Sequence, residues 1–295
     1  MIECVPNFSE GRNPAVIQAI VDAIRGPGVF VLGAESDADH HRSVITFAGD
    51  PENVLEAAVR AVGKAAELID LRQHKGVHPR VGATDVLPFV PLEDSTLDEC
   101  VAIAHRAGEL IWNQSGIPAY FYEAAARIPD RRPLQNTRRT GFDGRPPDVG
   151  DIPAHLTAGA TMVGARHFLI AYNINLMTPD VALAKAIAHK IRESSGGFAF
   201  VKAMGLHLAH ENRTQVSMNL MNFAKIPLDE LYATISHLAE TLGTSIAESE
   251  LIGFIPRAAF VQAPDFFRRI RGFHEPRVIE NRIAKLVSGS QTGLR

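Results

Sequence analysis

The chain has 295 residues, of which 46% are hydrophobic and 21% charged, and its formal net charge is −3. This length suffices for two domains, and the slightly acidic balance provides no overall positive field that would favour nucleic acid. With only two cysteines, a disulfide framework and a cysteine-based zinc site are excluded, which fits a reducing compartment. No apolar run approaches the roughly 20 residues that cross a bilayer, and no signal peptide is expected. We therefore expect a cytoplasmic protein without a nucleic-acid or membrane partner.

The first half alternates short strand-like runs with longer helical ones. Asp50 and Pro51 predict a helix start, with the aspartate as N-cap, because apolar residues then recur at three- and four-residue spacing. A second helix is predicted over Leu97–Trp112. The predicted strands are Val29–Leu32, Ser43–Phe47, Thr84–Pro91 and Pro118–Tyr122. The pattern then stops between Arg127 and Asp151, which predicts a functional or disordered loop.

The second half is more regular. Its predicted strands are Phe168–Ile174, Phe198–Met204, Thr214–Leu220 and Ala247–Ile255. Helices are predicted after Thr178-Pro179 and from Pro227. This order is that of a split-βαβ, ferredoxin-like unit, and the first half starts in the same way. We therefore predict an α/β (α+β) fold: two ferredoxin-like subdomains with mixed sheets, residues 1–166 and 167–295, side by side with a ligand groove between them.

Two segments, Glu35–Arg42 and His74–Asp85, are dense in groups that a catalyst needs. Neither matches a phosphate-binding loop, a dinucleotide fingerprint or a nucleophile elbow. His78 lies between glycines and precedes a proline, and an imidazole with a pKa of about 6.5 suits proton transfer near neutral pH. The alternative is a loop histidine bonded to the backbone. Arg80 offers a planar fork for a carboxylate.

The acidic residues of the first segment also have two interpretations. Glu35, Asp37 and Asp39 are either turn and strand-edge residues, or groups that orient a histidine and hold positive charge on a substrate.

A metal site is a further alternative for the same segments. The possible ligands are Asp37, Asp39, His40, His41, His74 and His78. His74 and His78 are four residues apart, a ligand spacing only on a helix, and the glycine and proline around them disfavour a helix. We therefore expect no metal.

Two later segments are ambiguous. The arginine-rich stretch from Arg131 to Arg145 is either a solvated linker or a docking surface for an anionic ligand tail. The small-residue stretch from Gly150 to Thr161 is either a domain junction or part of a ligand crevice.

Together these segments resemble the glutamate formimidoyltransferase family, the transferase part of formiminotransferase-cyclodeaminase. The resemblance is carried, in chain order, by the runs Glu3–Gly11, Ser36–Arg42, His74–Asp85 with Pro88-Phe89, Ala158–Arg166, Phe168–Leu176 and Gln215–Leu220. It spans nearly the whole chain and implies a stand-alone transferase. The family implies two α/β subdomains, a groove between them and a homodimer.

The resemblance also implies the site. His78, in the His-Pro-Arg run, is implied as the general acid and base, and Glu35 as the catalytic carboxylate. Arg42, Arg80, Asp39 and His41 are the candidate substrate-binding residues. Folate is expected on Gly150, Asp151, Ile152, Pro153, Ala154, His155, Leu156, Thr157, Ala158 and Gly159. The partners implied are formiminoglutamate and tetrahydrofolate, the latter as co-substrate.

The chain departs from the family pattern at three places. Glu35 stands where the family has an aspartate, His41 where it has an asparagine, and Leu156 where it has a proline. The expected reaction is formimino transfer from N-formimino-L-glutamate to tetrahydrofolate in histidine catabolism. The alternatives are formyl transfer from formylglutamate, a metal-dependent amide or amidine hydrolase, and a non-catalytic folate-binding paralogue.

Overall fold

The computed structural model describes residues 1–38, 41–74, 80–92, 94–140, 146–208 and 212–291. The chain forms two compact units, Met1–Arg166 and His167–Arg295. The predicted mixed α/β class is confirmed, since each unit combines one sheet with packed helices.

The first unit contains a seven-stranded mixed sheet. Its strands are β1 (Ile2–Cys4), β2 (Asn7–Phe8), β3 (Val29–Asp37), β4 (Arg42–Gly49), β5 (Thr84–Pro91), β6 (Ala119–Glu123) and β7 (Thr161–Ala165). The order is β1-β4-β2-β5-β7-β6, with β3 on β4 and an additional pairing of β1 with β5. The pairs β5–β7 and β6–β7 are parallel and the others antiparallel.

The described residues of this unit form four α-helices: α1 (Pro14–Ile24), α2 (Pro51–Leu68), α3 (Leu97–Ser115) and the short α4 (Leu134–Thr140). The predicted start of α2 is confirmed, because the Asp50 side chain accepts a hydrogen bond from Glu52 N. Thr96 and Glu99 form a reciprocal capping box at α3. Buried faces of α1, α2 and α3 join the sheet in one apolar core.

The second unit contains a four-stranded antiparallel sheet. Its strands are β8 (Ile170–Leu176), β9 (Val201–Leu208), β10 (Arg213–Leu220) and β11 (Ile246–Ile252), in the order β11-β8-β10-β9. Helices α5 (Val181–Ile191) and α6 (Leu228–Thr241) connect them in the predicted strand–helix–strand–strand–helix–strand sequence. Three further helices follow, α7 (Arg257–Gln262), α8 (Pro264–Arg268) and α9 (Ile279–Gln291). No helix in the described part of the chain has the length and apolar character needed to cross a membrane.

The interpretation of the arginine-rich stretch needs correction. Its described part contains a 3₁₀ turn at Pro129–Arg131 and the helix α4, whereas residues 141–145 lie outside the described residues. A seven-residue helix is too short to show apolar periodicity, so the sequence pattern did not reveal it. Thr137 Oγ1 donates a hydrogen bond to the Arg131 carbonyl at 2.9 Å, which ties α4 to the turn.

Arg131 is buried in an ion pair and so is not part of a docking surface. Its Nη1 lies 2.6 Å from Asp148 Oδ2, and the two side chains are 3% and 4% exposed. The same carboxylate oxygen accepts the Phe121 N–H at 2.8 Å, and Arg131 Nη2 donates to the Pro146 carbonyl. The guanidinium also lies over the Tyr120 ring. This network fixes the chain after α4 against β6.

Replacing Asp148 with alanine is expected to lower the free energy of unfolding by about 3–5 kcal/mol, because it leaves the Arg131 guanidinium buried without its counter-charge. Denaturant titration measures the change. The matched control is Glu52→Ala, which breaks the exposed pair with Arg106 and is expected to cost about 1 kcal/mol or less. Equal losses in the two variants would contradict the structural role of the buried pair.

Candidate active site

The two segments rich in potential catalytic groups are Glu35–Arg42 and His74–Asp85. Their described parts lie at one end of the first sheet. Phe8, the last residue of β2, is in register with Ser43 near the start of β4 and with Thr84 at the start of β5. Strand β7 runs parallel to β5, so it begins at the same end. The loops that precede β4, β5 and β7 and the loop that follows β2 therefore share one edge of the sheet.

Glu10, His41 and His74 form a buried cluster at this edge. Glu10 Oε2 lies 3.0 Å from His74 Nε2, and Glu10 Oε1 lies 3.5 Å from His41 Nδ1. The side chains of Glu10, His41 and His74 are 7%, 9% and 14% exposed. The two imidazole rings are 4.6 Å apart between centroids. One carboxylate thus contacts two histidines that are 33 positions apart in the sequence.

Backbone groups hold each member of the cluster. Glu10 Oε1 accepts the N–H groups of Arg12 at 2.8 Å and Asn13 at 3.0 Å. His74 Nδ1 lies 2.9 Å from the Asp70 carbonyl oxygen, and His41 Nδ1 accepts the Gly11 N–H at 3.3 Å. These contacts leave the facing atoms little rotational freedom.

The cluster shifts the titration of two of its groups. Burial by itself would raise the pKa of Glu10, but hydrogen bonds from Arg12, His74 and Asn13 together with the nearby His41 hold that pKa below its usual value. Burial lowers the pKa of His41, against the attraction of Glu10. Glu10 is therefore an anion and His41 a neutral imidazole near neutral pH.

A second cluster gathers positive charge beside the first. Asp85, which is 2% exposed, forms an ion pair with Arg138 of α4 and accepts the Val81 N–H at 2.9 Å. Burial lowers the pKa of Arg42, and Arg138 and Arg80 lower it further, while Asp85 and Asp37 act in the opposite direction. Two guanidinium groups, those of Arg138 and Arg80, thus act on Arg42 close to the buried carboxylate of Asp85. Such an arrangement favours an anionic ligand.

The two clusters are in direct contact. Arg80 Nη1 donates a long hydrogen bond of 3.5 Å to the His41 carbonyl, and Arg42 is the next residue in the chain. His41 itself has a φ of +51°, a left-handed conformation that non-glycine residues seldom adopt. The turn at this position presents its imidazole to Glu10 and places the Arg42 side chain in the positive cluster.

The stretch predicted to bind folate is hydrogen-bonded to the run that contains the predicted catalytic histidine. The Ala83 N–H donates to the Ala158 carbonyl at 2.8 Å, and the Ala160 N–H donates to the Val81 carbonyl at 3.0 Å. Farther back, the Leu71 N–H donates to the Thr157 carbonyl at 2.9 Å. Leu71 and residues 81–83 are therefore held in one local structure with residues 157–160.

The rest of the stretch is an open loop. His155 and Gly159 exchange two backbone hydrogen bonds of 2.9 Å, and the bond between Ile152 and Pro153 is cis. Ile152 is 57% exposed and Leu156 is 77% exposed. Exposed apolar side chains on a loop held against charged clusters are typical of a ligand surface.

Among the other predicted residues, Glu35 lies on β3 opposite Val44 with an exposed side chain. Glu10, which was not predicted, is a carboxylate that contacts two histidines. His78, Asp39 and His40 lie outside the described residues. The same holds for the side chain of Arg139 and for residues 141–145.

Neither Glu10 nor Arg138 was predicted from the sequence as an individual site residue. Glu10 lies within Glu3–Gly11, the first run that carries the family resemblance. Its place in that run is the sequence signal that could have identified it as a site residue. Arg138 was one of several arginines in a polar stretch, and only its contact with Asp85 distinguishes it.

Comparison with known proteins gives matches over most of the chain. The family models described as the formiminotransferase domain, N-terminal subdomain, and the formiminotransferase domain match residues 1–166 and 171–290. The glutamate formimidoyltransferase of Streptococcus pyogenes is 42% identical over 96% of this chain and 98% of its own length. That of Thermoplasma acidophilum is 39% identical over 97% and 98%. The formimidoyltransferase-cyclodeaminase of Gallus gallus is 42% identical over 90% of this chain and 52% of its own length.

Replacing Glu10 with alanine is expected to lower the free energy of unfolding by about 2–4 kcal/mol, because it removes the acceptor of two backbone N–H groups and the partner of His74. Chemical denaturation followed by circular dichroism measures it. The control is Glu56→Ala on α2, where the carboxylate is 72% exposed and the expected change is within about 0.5 kcal/mol. A Glu10 variant as stable as this control would show that the cluster does not stabilise the loops.

Proposed function

The chain belongs to the formiminotransferase family and transfers a formimino group from N-formimino-L-glutamate to tetrahydrofolate, and we propose that the transfer takes place at the sheet edge described above. The products are 5-formiminotetrahydrofolate and glutamate. Tetrahydrofolate is a co-substrate in this reaction, consumed in each turnover.

One observation carries the assignment of the site. The run His74–Asp85, which contains the proposed acid–base residue His78, is bonded through Val81 and Ala83 to the stretch proposed to bind folate. The run His74–Asp85 and the stretch Gly150–Gly159 are about 75 residues apart in the sequence, and these hydrogen bonds make them neighbours in space. The positive cluster lies at the same end of the sheet. Holding both substrates at one place supplies proximity, which contributes several kcal/mol to lowering a bimolecular barrier.

The positive cluster is the proposed site for the donor carboxylates. Formiminoglutamate carries two carboxylates, and a guanidinium binds a carboxylate through two parallel hydrogen bonds. Arg42 and Arg80 are the proposed contacts, and Arg138, with its guanidinium on Asp85, fixes the local geometry. His41 and Asp39 remain proposed substrate-binding residues, His41 through the neutral imidazole beside Arg80.

The chemistry assigned to His78 is proton transfer. N5 of tetrahydrofolate attacks the formimino carbon and forms a tetrahedral intermediate. The bond from that carbon to the glutamate nitrogen then breaks, and the nitrogen leaves with a proton as the amine. His78 takes the proton from N5 and delivers it to the leaving nitrogen, so the charge balances over the cycle. Glu35 is proposed to orient the imidazole and to stabilise the protonated formimino group.

The loop from Gly150 to Gly159 is the proposed folate contact. Ile152 and Leu156 offer exposed apolar surface suited to the aromatic rings of folate. Ala158 and Gly159 hold the base of the loop against residues 81–83. A ligand on this loop is therefore adjacent to the run with His78.

The cellular setting is proposed on the family resemblance. The proposed setting is that of a homodimer in the cytoplasm with a role in histidine catabolism. Of these, only the compartment has support in the structure: Cys4 and Cys100 are free and buried and need no oxidising environment.

The replacement His78→Gln is expected to lower kcat by roughly 10²–10⁴-fold while folate still binds, because it removes the proton shuttle alone. The assay incubates chelator-treated protein with tetrahydrofolate and formiminoglutamate and follows the new folate species by absorbance and mass. Formylglutamate is the parallel donor, since =NH and =O differ by one hydrogen-bond donor.

Each outcome of that assay has a meaning. Activity of the variant within a few-fold of the parent would remove His78 from the mechanism. Preference for formylglutamate would change the donor, and folate binding without turnover on either donor would indicate a binding paralogue. Loss of activity on chelator treatment would favour the hydrolase alternative.

The replacement Leu156→Ser is expected to raise the KM for tetrahydrofolate about tenfold with stability unchanged, because an exposed side chain contributes to packing only when a ligand covers it. Steady-state kinetics and thermal unfolding measure the two effects. Val261→Ser, at a residue 70% exposed in the second unit, is the matched control and should alter neither quantity. An unchanged KM for Leu156→Ser would place folate elsewhere.

A further inference from the structure

Two of the runs that carry the family resemblance, Phe168–Leu176 and Gln215–Leu220, have no part in the site at the first sheet. They form the neighbouring antiparallel strands β8 and β10 of the second unit. Gly205 on β9, in register with Val216, faces helix α5, since a Cβ on it would lie 2.3 Å from Lys185 N. Alternate residues of a strand point to opposite faces. One face of this sheet therefore packs against α5, and the residues between these positions belong to the other face.

That other face carries amide and carboxylate side chains. Gln215 of β10 is in register with Asn175 of β8, and Asn173 of β8 is in register with Glu250 of β11. Register partners share a face, as do residues two positions apart on one strand. Asn173, Asn175 and Gln215 are 8%, 3% and 6% exposed, whereas amide side chains are mostly exposed in proteins. These four residues are called the amide face.

The amides hold the carboxylate of Glu250 in place. Gln215 Nε2 donates to Asn175 Oδ1 at 2.9 Å and to Glu250 Oε1 at 2.7 Å, so both of its N–H groups are used. Asn173 Nδ2 donates to the same Glu250 oxygen at 3.1 Å. Two amides from two strands therefore fix one oxygen of this carboxylate, which restricts its rotation.

Glu250 keeps acceptor capacity and charge that the described part of the protein does not use. Neither Glu250 Oε2 nor Gln215 Oε1 accepts a hydrogen bond from a described residue, and no described cation pairs with Glu250. Glu248, two residues earlier on the same strand, differs in this respect. It forms an ion pair with Arg271 and lies 3.8 Å from Arg213 Nη1. Glu250 is therefore the carboxylate of the two that can offer its charge to a ligand.

Apolar side chains of strand β9 border the amide face. Leu206 is in register with Gln215, and Met204 with Ser217, which in turn lies opposite Asn173. Met204 is 58% exposed and Leu206 is 39% exposed. Sites for small organic ligands combine a few fixed polar groups with apolar surface, and methionine adapts well to aromatic rings. The amide face and its border have this composition.

We propose that Glu250, Gln215 and Asn173 bind a planar N–C–N group that carries a hydrogen on each nitrogen. Met204 and Leu206 contact the apolar part of the ligand. The two hydrogens of such a group match Glu250 Oε2 and Gln215 Oε1, and a hydrogen bond to a carboxylate is stronger than one between neutral groups.

Both substrates of the proposed function contain this chemistry. It is present in the formamidine group of formiminoglutamate and in the 2-amino-4-oxopyrimidine edge of tetrahydrofolate. The identity of the ligand thus rests on the proposed function, whereas the choice of residues rests on the amide face. Binding of each substrate alone separates the two sources.

The test is calorimetric titration of the full chain with two separate probes, a tetrahydropterin without a glutamate tail and formiminoglutamate. Glu250→Gln is expected to weaken the binding of the recognised probe at least about tenfold. Either orientation of the new amide sets its own N–H group against another one, from the ligand or from Gln215. The probe that loses affinity is the source of the ligand chemistry.

Analogues test the N–H groups themselves. A tetrahydropterin with a methyl group in place of the 2-amino group lacks those hydrogens, and formylglutamate lacks the =NH of the donor. The parent is expected to bind the analogue of its recognised probe at least about tenfold more weakly than the probe. Glu250→Gln should distinguish probe from analogue by less, since the two changes remove the same interaction.

Glu248→Gln is the matched control, because Glu248 also accepts an amide N–H, from Asn175, but has its charge paired with Arg271. It should bind the probes within about threefold of the parent. Failure of the parent to bind either probe at millimolar concentration, or equal binding by the parent and Glu250→Gln, would overturn the proposal.

The outcome can be told apart from that of the transferase assay, since binding of a single probe requires no turnover. Binding that depends on Glu250 without any transfer would support the amide face and contradict the proposed function. Transfer that Glu250→Gln leaves unchanged would do the reverse. If thermal unfolding shows that Glu250→Gln does not fold, a crystal structure of the parent with the probe decides, and a probe without contact to Glu250 refutes the proposal.

Discussion

The close approach of Gly82 and Gly159 is the constraint on which the candidate site depends. A Cβ on Gly82 would lie 1.9 Å from the Ala160 carbonyl oxygen, and one on Gly159 would lie 2.2 Å from that of Val81. Because such contacts are impossible, these two segments can pair only with glycine at both positions, and Gly159 also has a φ of +70°. The pairing leads into the parallel strands β5 and β7. The loop that we propose to bind folate is thereby fixed to the described part of the run His74–Asp85.

Charge is distributed around this pairing in two adjacent clusters of opposite character. On one side Glu10 is an anion between two imidazoles. On the other, Asp85 pairs with Arg138, and burial together with Arg138 and Arg80 lowers the pKa of Arg42 against the attraction of Asp85 and Asp37. A low-dielectric environment strengthens both sets of interactions. The second cluster is therefore rich in guanidinium groups, which suit carboxylate ligands.

The sequence predicted those features that depend on local signals. The cap at Asp50 and the strand Thr84–Pro91 were predicted correctly, since capping residues and short apolar runs act over a few positions. Strands as short as β1 and β2 have no period to detect. The burial of Arg131 was equally hidden, because its partner Asp148 follows 17 positions later. Contacts of this range depend on the tertiary fold.

A departure from the family pattern was likewise visible in the sequence but could be interpreted only from the tertiary structure. His41 stands where the family has an asparagine, and nothing in the sequence accounted for the change. In the structure it adopts a left-handed φ of +51°, a conformation that is uncommon outside glycine and in which asparagine, aspartate and histidine are enriched. A strained residue persists where other contacts fix it. Here Glu10, the Gly11 N–H and the ring of His74 surround the imidazole, and the site that these groups form explains why histidine is accommodated in that turn.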